Sequence, residues 1–458
     1  MESPRIASVK QKGLIFCLSA FLIAPLLGVL SPATAAPPLI QQRAATAQQP
    51  PARAKLNALR ITGSRKFPEE NIAALTGLRL GDMIGKEEIQ AAADRLARLG
   101  TFQNVRYRFT GREESVDVEI TLEDSPTVPV MFDNFPLFSD GELTQALKDA
   151  AGLFDGTAPE NGTILDTMTE ALQQLLEKRG VEATVERTLL AGPGEMNMIQ
   201  RFQMVGVAGL KVSAVQFGDA LAAESRRLAE PQRDLIGKPY SRFVAAVFAN
   251  EQVRPLYLEK GFLRVQFGPA QARFTGDPRR PLPETVTLVL PITPGPAYRW
   301  GGATWSGNAV FPADTLNQFL GFAADETVNG MKIIAGWERV RSEYGRRGYL
   351  DAVVEPQAIY DDAAPRVRYA VKIAEGPQYR MGQLTITGLS LTAERMIIAA
   401  WRIPAGEVFD RVYFEDFLEE QARKKKAFGE YVVHFKLVGP MLRTNPDKKT
   451  VDVFLDFQ

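Results

Sequence analysis

The side chains best suited to catalysis are scarce in this sequence. His434 is the only histidine, and it lies in the apolar run YVVHFKL, which predicts a β-strand. Metal centres and catalytic triads need several convergent polar groups, so a lone histidine on a strand is more often structural. Cys17 is the only cysteine and lies in the N-terminal apolar run. The sequence therefore predicts no metal site and no cysteine nucleophile.

Paired carboxylates could perform general acid–base catalysis, and two such pairs occur. Glu113–Glu114 and Asp361–Asp362 both fall in predicted hairpin loops. Solvated turn charges are the simpler interpretation, because no predicted cleft surrounds them. The segment GPGEM (192–196) contains glycines but does not match a phosphate-binding loop. We predict that the protein is not an enzyme and that it binds no cofactor.

A basic run could bind anions. Arg423, Lys424, Lys425 and Lys426 end a predicted helix. One interpretation is a solvated helix face, with cations favoured near the helix C-terminus. The other is a contact with anionic lipid head groups or an acidic partner, since about four charges matter at a membrane surface. Both interpretations remain open from the sequence.

Length and charge narrow the class of protein. The 458 residues are too many for one typical domain, and the chain has enough apolar residues for real cores. Lys and Arg together number 54, as do Asp and Glu. This balance gives no support to a nucleic-acid-binding protein.

The N-terminus predicts export. Arg5, Lys10 and Lys12 precede the apolar run 14–30, and SPATAA follows with an Ala-x-Ala pattern. This order is typical of a secretory signal peptide, here residues 1–36. An uncleaved anchor is the alternative, but the run is short and contains Pro25. Residues 37–54, rich in Pro, Gln and Ala, predict a flexible linker.

The rest of the chain repeats one helix–strand junction. A glycine ends a helical stripe and a strand-like run follows it, and the glycines are separated by 80, 81, 87 and 81 residues. A fixed period of this kind indicates a repeat array. The glycines are Gly100, Gly180, Gly261, Gly348 and Gly429.

Each period predicts the same order of elements. In the first, strand-like LNALRITG (56–63) is followed by two helical segments and then by two alternating strands. The predicted fold class is α+β, with tandem β-α-α-β-β units, each a three-stranded mixed sheet covered on one face by two helices. The predicted units are 55–125, 126–206, 207–295, 296–376 and 377–458.

This order resembles the POTRA (polypeptide-transport-associated) domains of outer-membrane protein assembly factors. Those domains share a first strand ending in Gly, a Gly-containing turn before helix two, and an aromatic–Gly–aromatic end to helix two. The similarity covers about residues 55–458. The matching pieces are Gly63, Gly307, Gly388, LGD (80–82), IPAGEVF (403–409), Tyr257 with Gly261–Phe262, and Tyr344 with Gly348–Tyr349.

Three features depart from that family pattern. Val181 replaces the aromatic residue after Gly180, and Pro255 falls inside a predicted helix, where it should cause a kink. Assembly factors of the family continue into a membrane β-barrel, whereas this sequence stops at Gln458. We therefore expect a POTRA array without a C-terminal barrel.

The predicted topology leaves one strand of each unit at a sheet edge. Two helices return the chain, so strands one and three run parallel, strand three is central and strand two is at an edge. An exposed edge can bind an extended peptide by strand addition, although a neighbouring unit or charges can also cover it. The predicted edge strands are 102–109, 181–188, 262–268, 350–356 and 431–437. The candidate partner-binding residues are Val105, Tyr107, Arg264, Val265, Ala352, Val353, Val432 and Val433.

The resemblance implies a function. We expect a periplasmic array, with the outer-membrane surface as an alternative location, that captures outer-membrane polypeptides or docks onto a separate barrel or lipoprotein. The alternative is a structural scaffold of the envelope, in division or cell-wall attachment, without client binding. No nucleic-acid partner is expected.

Overall fold

A computed structural model describes residues 53–112, 114–194, 198–206, 210–274, 284–424 and 440–457. The predicted signal peptide (1–36) and nearly all of the predicted linker (37–54) lie outside these residues, as does His434. The predicted ranges are called units 1 to 5 below.

Units 1 and 2 each contain a four-stranded sheet and two long helices. In both, a two-residue strand lies between the helices and pairs with the start of the first strand. Unit 1 comprises β1 (Ala54–Thr62), α1 (Glu69–Thr76), β2 (Met83–Ile84), α2 (Lys86–Arg98), β3 (Phe102–Arg112) and β4 (Ser115–Asp124). Unit 2 comprises β5 (Val128–Asp133), α3 (Asp140–Ala151), β6 (Thr157–Ala158), α4 (Ile164–Lys178), β7 (Thr184–Ala191) and β8 (Met198–Val205).

Unit 3 is the least regular. Its first helix is only four residues long, and two 3₁₀ turns, Arg226–Leu228 and Pro231–Asp234, follow it. Its elements are β9 (Lys211–Phe217), α5 (Ala220–Ala223), α6 (Arg242–Phe248), α7 (Arg254–Leu258), β10 (Gln266–Phe267), β11 (Gln271–Arg273), β12 (Thr285–Leu290) and β13 (Ile292–Thr293).

Units 4 and 5 each contain a three-stranded sheet and two helices. Unit 4 comprises β14 (Arg299–Ser306), α8 (Ala313–Leu320), α9 (Gly330–Arg346), β15 (Val353–Asp361) and β16 (Arg366–Ala374). Unit 5 comprises β17 (Arg380–Thr387), α10 (Leu391–Ala400), α11 (Arg411–Lys424), β18 (Met441–Asn445) and β19 (Thr450–Asp456).

The sheet topology agrees with the sequence. Each first strand runs parallel to the last long strand of its unit, and that last strand is central. The hairpin partner of the central strand is at the edge of the main sheet in each of the five units. The α+β fold class and the β-α-α-β-β order are therefore confirmed. The edge strands are β3, β7, β11, β15 and β18.

The helices bury the stripes that their sequences predict. Ile89, Ala92 and Leu96 of α2 are at most 2% exposed, because residues spaced by three and four positions share one helix face. The repeated glycine follows with a left-handed backbone, as at Gly100, where φ is +83°. This conformation ends the helix and favours glycine, which has no Cβ to clash.

Pro255 does not simply kink helix two of unit 3, because the helix changes its type just before the proline. The segment Ala249–Val253 between α6 and α7 is a π-helix, which directly precedes the proline turn. Proline lacks the N–H that would bond to the carbonyl four residues earlier, and its ring clashes with that carbonyl in an α-helix. A widened π turn relieves this conflict and keeps the helix continuous.

The apolar core is continuous across the first two units and separate in the others. Buried residues from Ala54 to Met204 form one cluster. Units 3, 4 and 5 each have a cluster of their own. At the junction of units 1 and 2, the amides of Thr163 and Ile164 bond to the carbonyls of Arg98 and Leu99. Units 1 and 2 therefore pack as one body.

Candidate functional site

The repeated glycines mark joints between units. The carbonyl of Gly261 accepts a hydrogen bond of 2.9 Å from the amide of Tyr298, which opens unit 4. Gly348 and Tyr379 repeat this bond at 2.8 Å between units 4 and 5. Both tyrosines are fully buried. The glycine that ends a helix in one unit therefore also anchors the first strand of the next.

The residues after these glycines contribute to two units at once. Phe262 packs edge-on against Tyr257 of its own unit, and Tyr349 does the same against Tyr344. The next residue in each case is a leucine that packs into the core of the following unit, Leu263 into unit 4 and Leu350 into unit 5. The sequence motif Gly–aromatic–Leu therefore builds a joint before the strand begins.

This arrangement corrects the prediction for Arg264 and Val265. The predicted strand 262–268 is reduced to Gln266–Phe267, and both candidate residues precede it. Arg264 bonds through Nη1 to Asp362 Oδ2 of unit 4 at 2.8 Å, and Val265 is 3% exposed in the core of unit 3. The apolar alternation of the segment reflects packing across a joint, and the edge strand of unit 3 is β11 instead.

Asp362 is more than a solvated turn charge. Its Oδ1 accepts a 2.5 Å hydrogen bond from the Tyr298 hydroxyl, and Arg264 also lies over the Tyr360 ring. The Tyr298 hydrogen bond, followed by the Arg264 bond, lowers the pKa of Asp362. The carboxylate therefore joins the end of β15 to the start of unit 4 and to unit 3.

The joint between units 2 and 3 is polar instead. Asp133 is fully buried and accepts hydrogen bonds from Ser241 Oγ at 2.9 Å and from the amides of Arg242 and Phe243. Arg201 Nη1 lies 3.7 Å from the same carboxylate. Buried charges need such partners. Unit 3 therefore docks onto a carboxylate at the end of β5.

The predicted edge in unit 1 is present and is the longest of the described edge strands. β3 has eleven residues and, in the described part of the chain, pairs only with β4. The side chain of Val105 is 7% exposed, and Tyr107 donates to Gln90 Oε1 of α2. Both side chains point toward the core, so the exposed feature of β3 is its backbone edge rather than these side chains.

The direction of the free backbone groups follows from the hairpin. Two residues connect Arg112 to Ser115, which are directly paired, and the pair that closes such a loop exchanges hydrogen bonds. Every second residue back from Arg112 therefore bonds to β4. The backbones of Tyr107, Phe109 and Gly111 face outward.

The edge in unit 4 is interrupted by a proline. β15 begins at Val353, which is 46% exposed, whereas Ala352 precedes the strand and is half-buried. Pro356 lies within β15 opposite Val371. Proline has no N–H to donate, and in a sheet it occurs where that position faces away from the ladder. The outward edge of β15 therefore lacks a donor at its centre.

The edge in unit 2 is closed by a side chain. Gln173 of α4 donates through Nε2 to the carbonyl of Ala183 and accepts through Oε1 from the amide of Val185, both at 3.0 Å. A carboxamide presents the same donor and acceptor as a peptide group. Gln173 therefore occupies the place at β7 where an added strand would bond.

The remaining candidates lie wholly or partly outside the described residues. Val432, Val433, Lys425 and Lys426 lie outside the described residues. Arg423 and Lys424 end α11, and their side chains are likewise outside the described part. A partner-binding role for the two valines and a lipid or partner contact for the basic run stay predictions.

Two other kinds of feature, a metal cluster and a membrane-spanning helix, are absent from the described ranges. In the described ranges, no group of three or more His, Cys, Asp or Glu side chains is arranged to hold a metal ion. None of the helices in that part of the chain combines the length and apolarity needed to cross a lipid bilayer.

Comparison with known proteins finds a family model that matches two of the five units. Residues 54–124 and 298–376, which are unit 1 and unit 4, match the POTRA family model, described as a surface antigen variable number repeat. The match supports the resemblance that the sequence motifs indicate, because both segments have the β-α-α-β-β order.

A curated relative is a protein of Treponema pallidum (strain Nichols) that is named, provisionally, an outer membrane protein assembly factor. It is 22% identical over 208 residues, which cover 45% of this chain and 24% of the relative. The chain therefore spans about a quarter of the length of the curated relative that it matches.

Among solved structures, POTRA domains 3–5 of BamA from Haemophilus influenzae are 19% identical, with a TM-score of 0.40, and cover 54% of this chain and 96% of that one. The N-terminal domain of Omp85 from the cyanobacterium Thermosynechococcus elongatus is 17% identical, with a TM-score of 0.22, and covers the same shares of 54% and 96%.

Proposed function

We propose that this chain, a tandem POTRA protein with POTRA domains at residues 54–124 and 298–376, is a non-enzymatic array that binds outer-membrane polypeptides in the periplasm and assists their assembly. Clients bind by adding a strand to an exposed sheet edge. Main-chain hydrogen bonds supply the affinity in this mode, so one edge accepts many sequences.

The edge of β3 carries this proposal. It is eleven residues long, contains no proline and is paired on one side only within the described chain. Unpaired N–H and C=O groups in a row are a template for another strand. Among the side chains described, none bonds to the outward backbone of Tyr107 or Phe109, in contrast to β7, where Gln173 occupies that position.

The partners follow from the same reasoning. Unfolded outer-membrane proteins are extended chains rich in strand-forming segments, which suits an edge that reads backbone. The name of the Treponema pallidum relative supports a role in outer-membrane protein assembly. A separate outer-membrane barrel or lipoprotein is the second kind of partner, and the basic run 423–426 is proposed to contact a membrane surface or that partner.

Hydrogen exchange on the full exported chain tests the proposal directly. An urea-unfolded outer-membrane barrel protein, diluted into the sample, is the probe. We expect the outward amides of Tyr107, Phe109 and Gly111 to exchange at least about tenfold more slowly with the probe present, because an added strand bonds to them.

A matched pair of variants separates strand addition from other binding. Gly111→Pro removes one outward donor and places a ring at the edge, whereas Gly111→Ala keeps the N–H. Weaker probe binding in Gly111→Pro alone supports the proposal. Equal binding by both variants, or a bound probe without protection of β3, would overturn strand addition at this edge. No binding at all would favour the envelope scaffold.

A further inference from the structure

A cleft of about 640 Å³ lies between units 2 and 3. Val130, Met131 and Phe132 of β5 and Asp140 of α3 are on the unit 2 side, and Arg242 is among the residues on the unit 3 side. Cavities of about 300–1,000 Å³ hold small ligands or a few residues of a peptide. The cleft therefore has the size of a binding site, and it is distinct from the edge of β3.

The unit 3 wall is one line of side chains along helix two. Arg242, Ala246, Asn250 and Arg254 all line the cleft at intervals of four residues. In an α-helix of 3.6 residues per turn, residues four positions apart differ in direction by about 40°. Such a line would therefore turn gradually away from the cleft. The wider turn of the π segment Ala249–Val253 offsets this rotation. The helix irregularity before Pro255 therefore brings both arginines to the same cleft.

Arg242 is a largely buried arginine in the wall of the cleft. Its side chain is only 12% exposed, and its buried Nε has no hydrogen-bond partner among the residues that the structure describes. An unbonded buried donor is costly, whereas hydrogen bonds to an ionised carboxylate are strong. Arg242 also forms an ion pair through Nη1 with Asp140, which is 45% exposed. Because Arg242 Nε is buried and Nη1 is paired with Asp140, a carboxylate from another chain would compete with Asp140 for the exposed part of this guanidinium.

Charge and apolar surface favour an acidic peptide as occupant. Two arginines and one aspartate are the charged residues that line the cleft, so the lining is net positive. Phe132, Phe267 and Leu290 add apolar surface beside these charges. A free inorganic anion would use the charge alone, whereas an extended segment that alternates acidic and apolar side chains fits both.

We propose that this cleft binds an acidic, extended peptide segment, with one carboxylate on Arg242. The peptide belongs to a partner or client protein, and Asp140 competes with its carboxylate for the same guanidinium. The site does not depend on strand addition at β3, so either proposal can fail without the other.

Fluorescence anisotropy with two labelled probe peptides tests the site on the full exported chain. One peptide alternates Val and Glu, and the other alternates Val and Gln. We expect the acidic peptide to bind about tenfold more tightly at low salt, with a difference that shrinks at high salt. Equal affinities of the two peptides would overturn the proposal.

Two substitutions in the same ion pair have opposite expected effects. Arg242→Gln should abolish the preference for the acidic peptide, and Asp140→Asn should increase its affinity several-fold by removing the competing carboxylate. Loosening of the joint between units 2 and 3 would instead weaken binding in both variants, and that result overturns the proposal. Acidic-peptide binding that persists unchanged in Arg242→Gln does so as well.

Discussion

Arg264 of unit 3 and Asp362 of unit 4 meet across a joint, with Nη1 and Oδ2 2.8 Å apart. Both side chains are about half exposed, at 47% and 60%, so water screens their attraction. The pair adds to the more buried contact beside it, where the amide of Tyr298 bonds to the carbonyl of Gly261. The ion pair therefore adds only a small stabilisation to the joint, and the buried contact contributes more.

Replacing Arg264 should loosen that joint slightly. We expect Arg264→Ala to speed exchange of the Tyr298 amide by about two- to fivefold at low salt, with a smaller effect at high salt. Arg227→Ala is the matched control, because Arg227 pairs with Glu259 inside unit 3. An equal effect of the two substitutions would show that the charge pair does not act on the joint.

Gly348 should be far less replaceable than Gly152, although both have a left-handed backbone. Its φ is +80°, and an added Cβ would lie 2.6 Å from the carbonyl oxygen of Tyr379. Gly152 ends α3 with a φ of +63° but has open space around it. Both substitutions to Ala incur backbone strain, and only Gly348→Ala also forces unit 5 away.

We expect Gly348→Ala to destabilise the chain by about 1–3 kcal/mol more than Gly152→Ala. Exchange of the Tyr379 amide, which donates to Gly348, should become much faster in Gly348→Ala alone. Denaturant unfolding gives the difference in stability. Similar losses in both variants would mean that the close contact across the joint is unimportant.

The sequence predicts that these glycines end helices, but it does not predict which residues they contact. The helix stripe followed by Gly is a local signal, so the ends of α2 and α9 follow from it. The contact of Gly348 comes from Tyr379, which is 31 residues later in the chain. No local pattern identifies such a partner, because docking of two units depends on their surfaces.

The same limit explains why the strand prediction for 262–268 was wrong. Phe262, Leu263 and Val265 are apolar, and a strand packed on a core produces that pattern. Here the three side chains pack on a helix tyrosine, the next unit and their own core. Burial from several directions gives the same composition as a strand, so composition alone cannot distinguish them.

The sequence analysis also did not predict the cleft beside Arg242. The line of residues at four-residue spacing is visible, but its opposite wall comes from β5, more than 100 residues earlier. Pro255 was the one residue in the sequence that indicated an irregular helix at this wall of the cleft. Proline inside a predicted helix indicates a distortion, and the π segment that accompanies it aligns the cleft wall.

The buried hydroxyl of Tyr379 should titrate at unusually high pH. Burial, followed by its 2.5 Å hydrogen bond to Asp351, raises the pKa of Tyr379 to about 12. In the unfolded chain a tyrosine hydroxyl ionises near pH 10, so folding favours the protonated form of Tyr379. This contribution is complete below pH 10 and is lost as the pH rises toward 12.

Ring-labelled tyrosine NMR measures this pKa, with Tyr379→Phe identifying the resonance. Asp351→Asn removes the negative charge and keeps an acceptor, so the pKa of Tyr379 should fall but stay above 10, because burial persists. A resonance that titrates together with exposed tyrosines near pH 10 would contradict the closed joint between units 4 and 5.

Removing Gln173 should open an edge that the fold keeps closed. Gln173→Ala leaves the Val185 amide and the Ala183 carbonyl without their side-chain partner. We expect the Val185 amide to exchange faster and the chain to lose about 1 kcal/mol of stability. The exposed edge of β7 should then capture an unfolded outer-membrane protein, and we expect the unaltered edge to capture little of it.

Gln145→Ala is the control, since Gln145 bonds only to Asp149 along α3 in the described contacts. Cross-linking from a photo-reactive residue at Arg187 of β7 reports capture. We expect client adducts in Gln173→Ala and few in the control or the unaltered chain. Equal adducts in all three would mean that β7 is already open and that a carboxamide does not close this edge. Because Gln173 imitates one peptide group of an added strand, an increase specific to its loss would link edge chemistry to client selection.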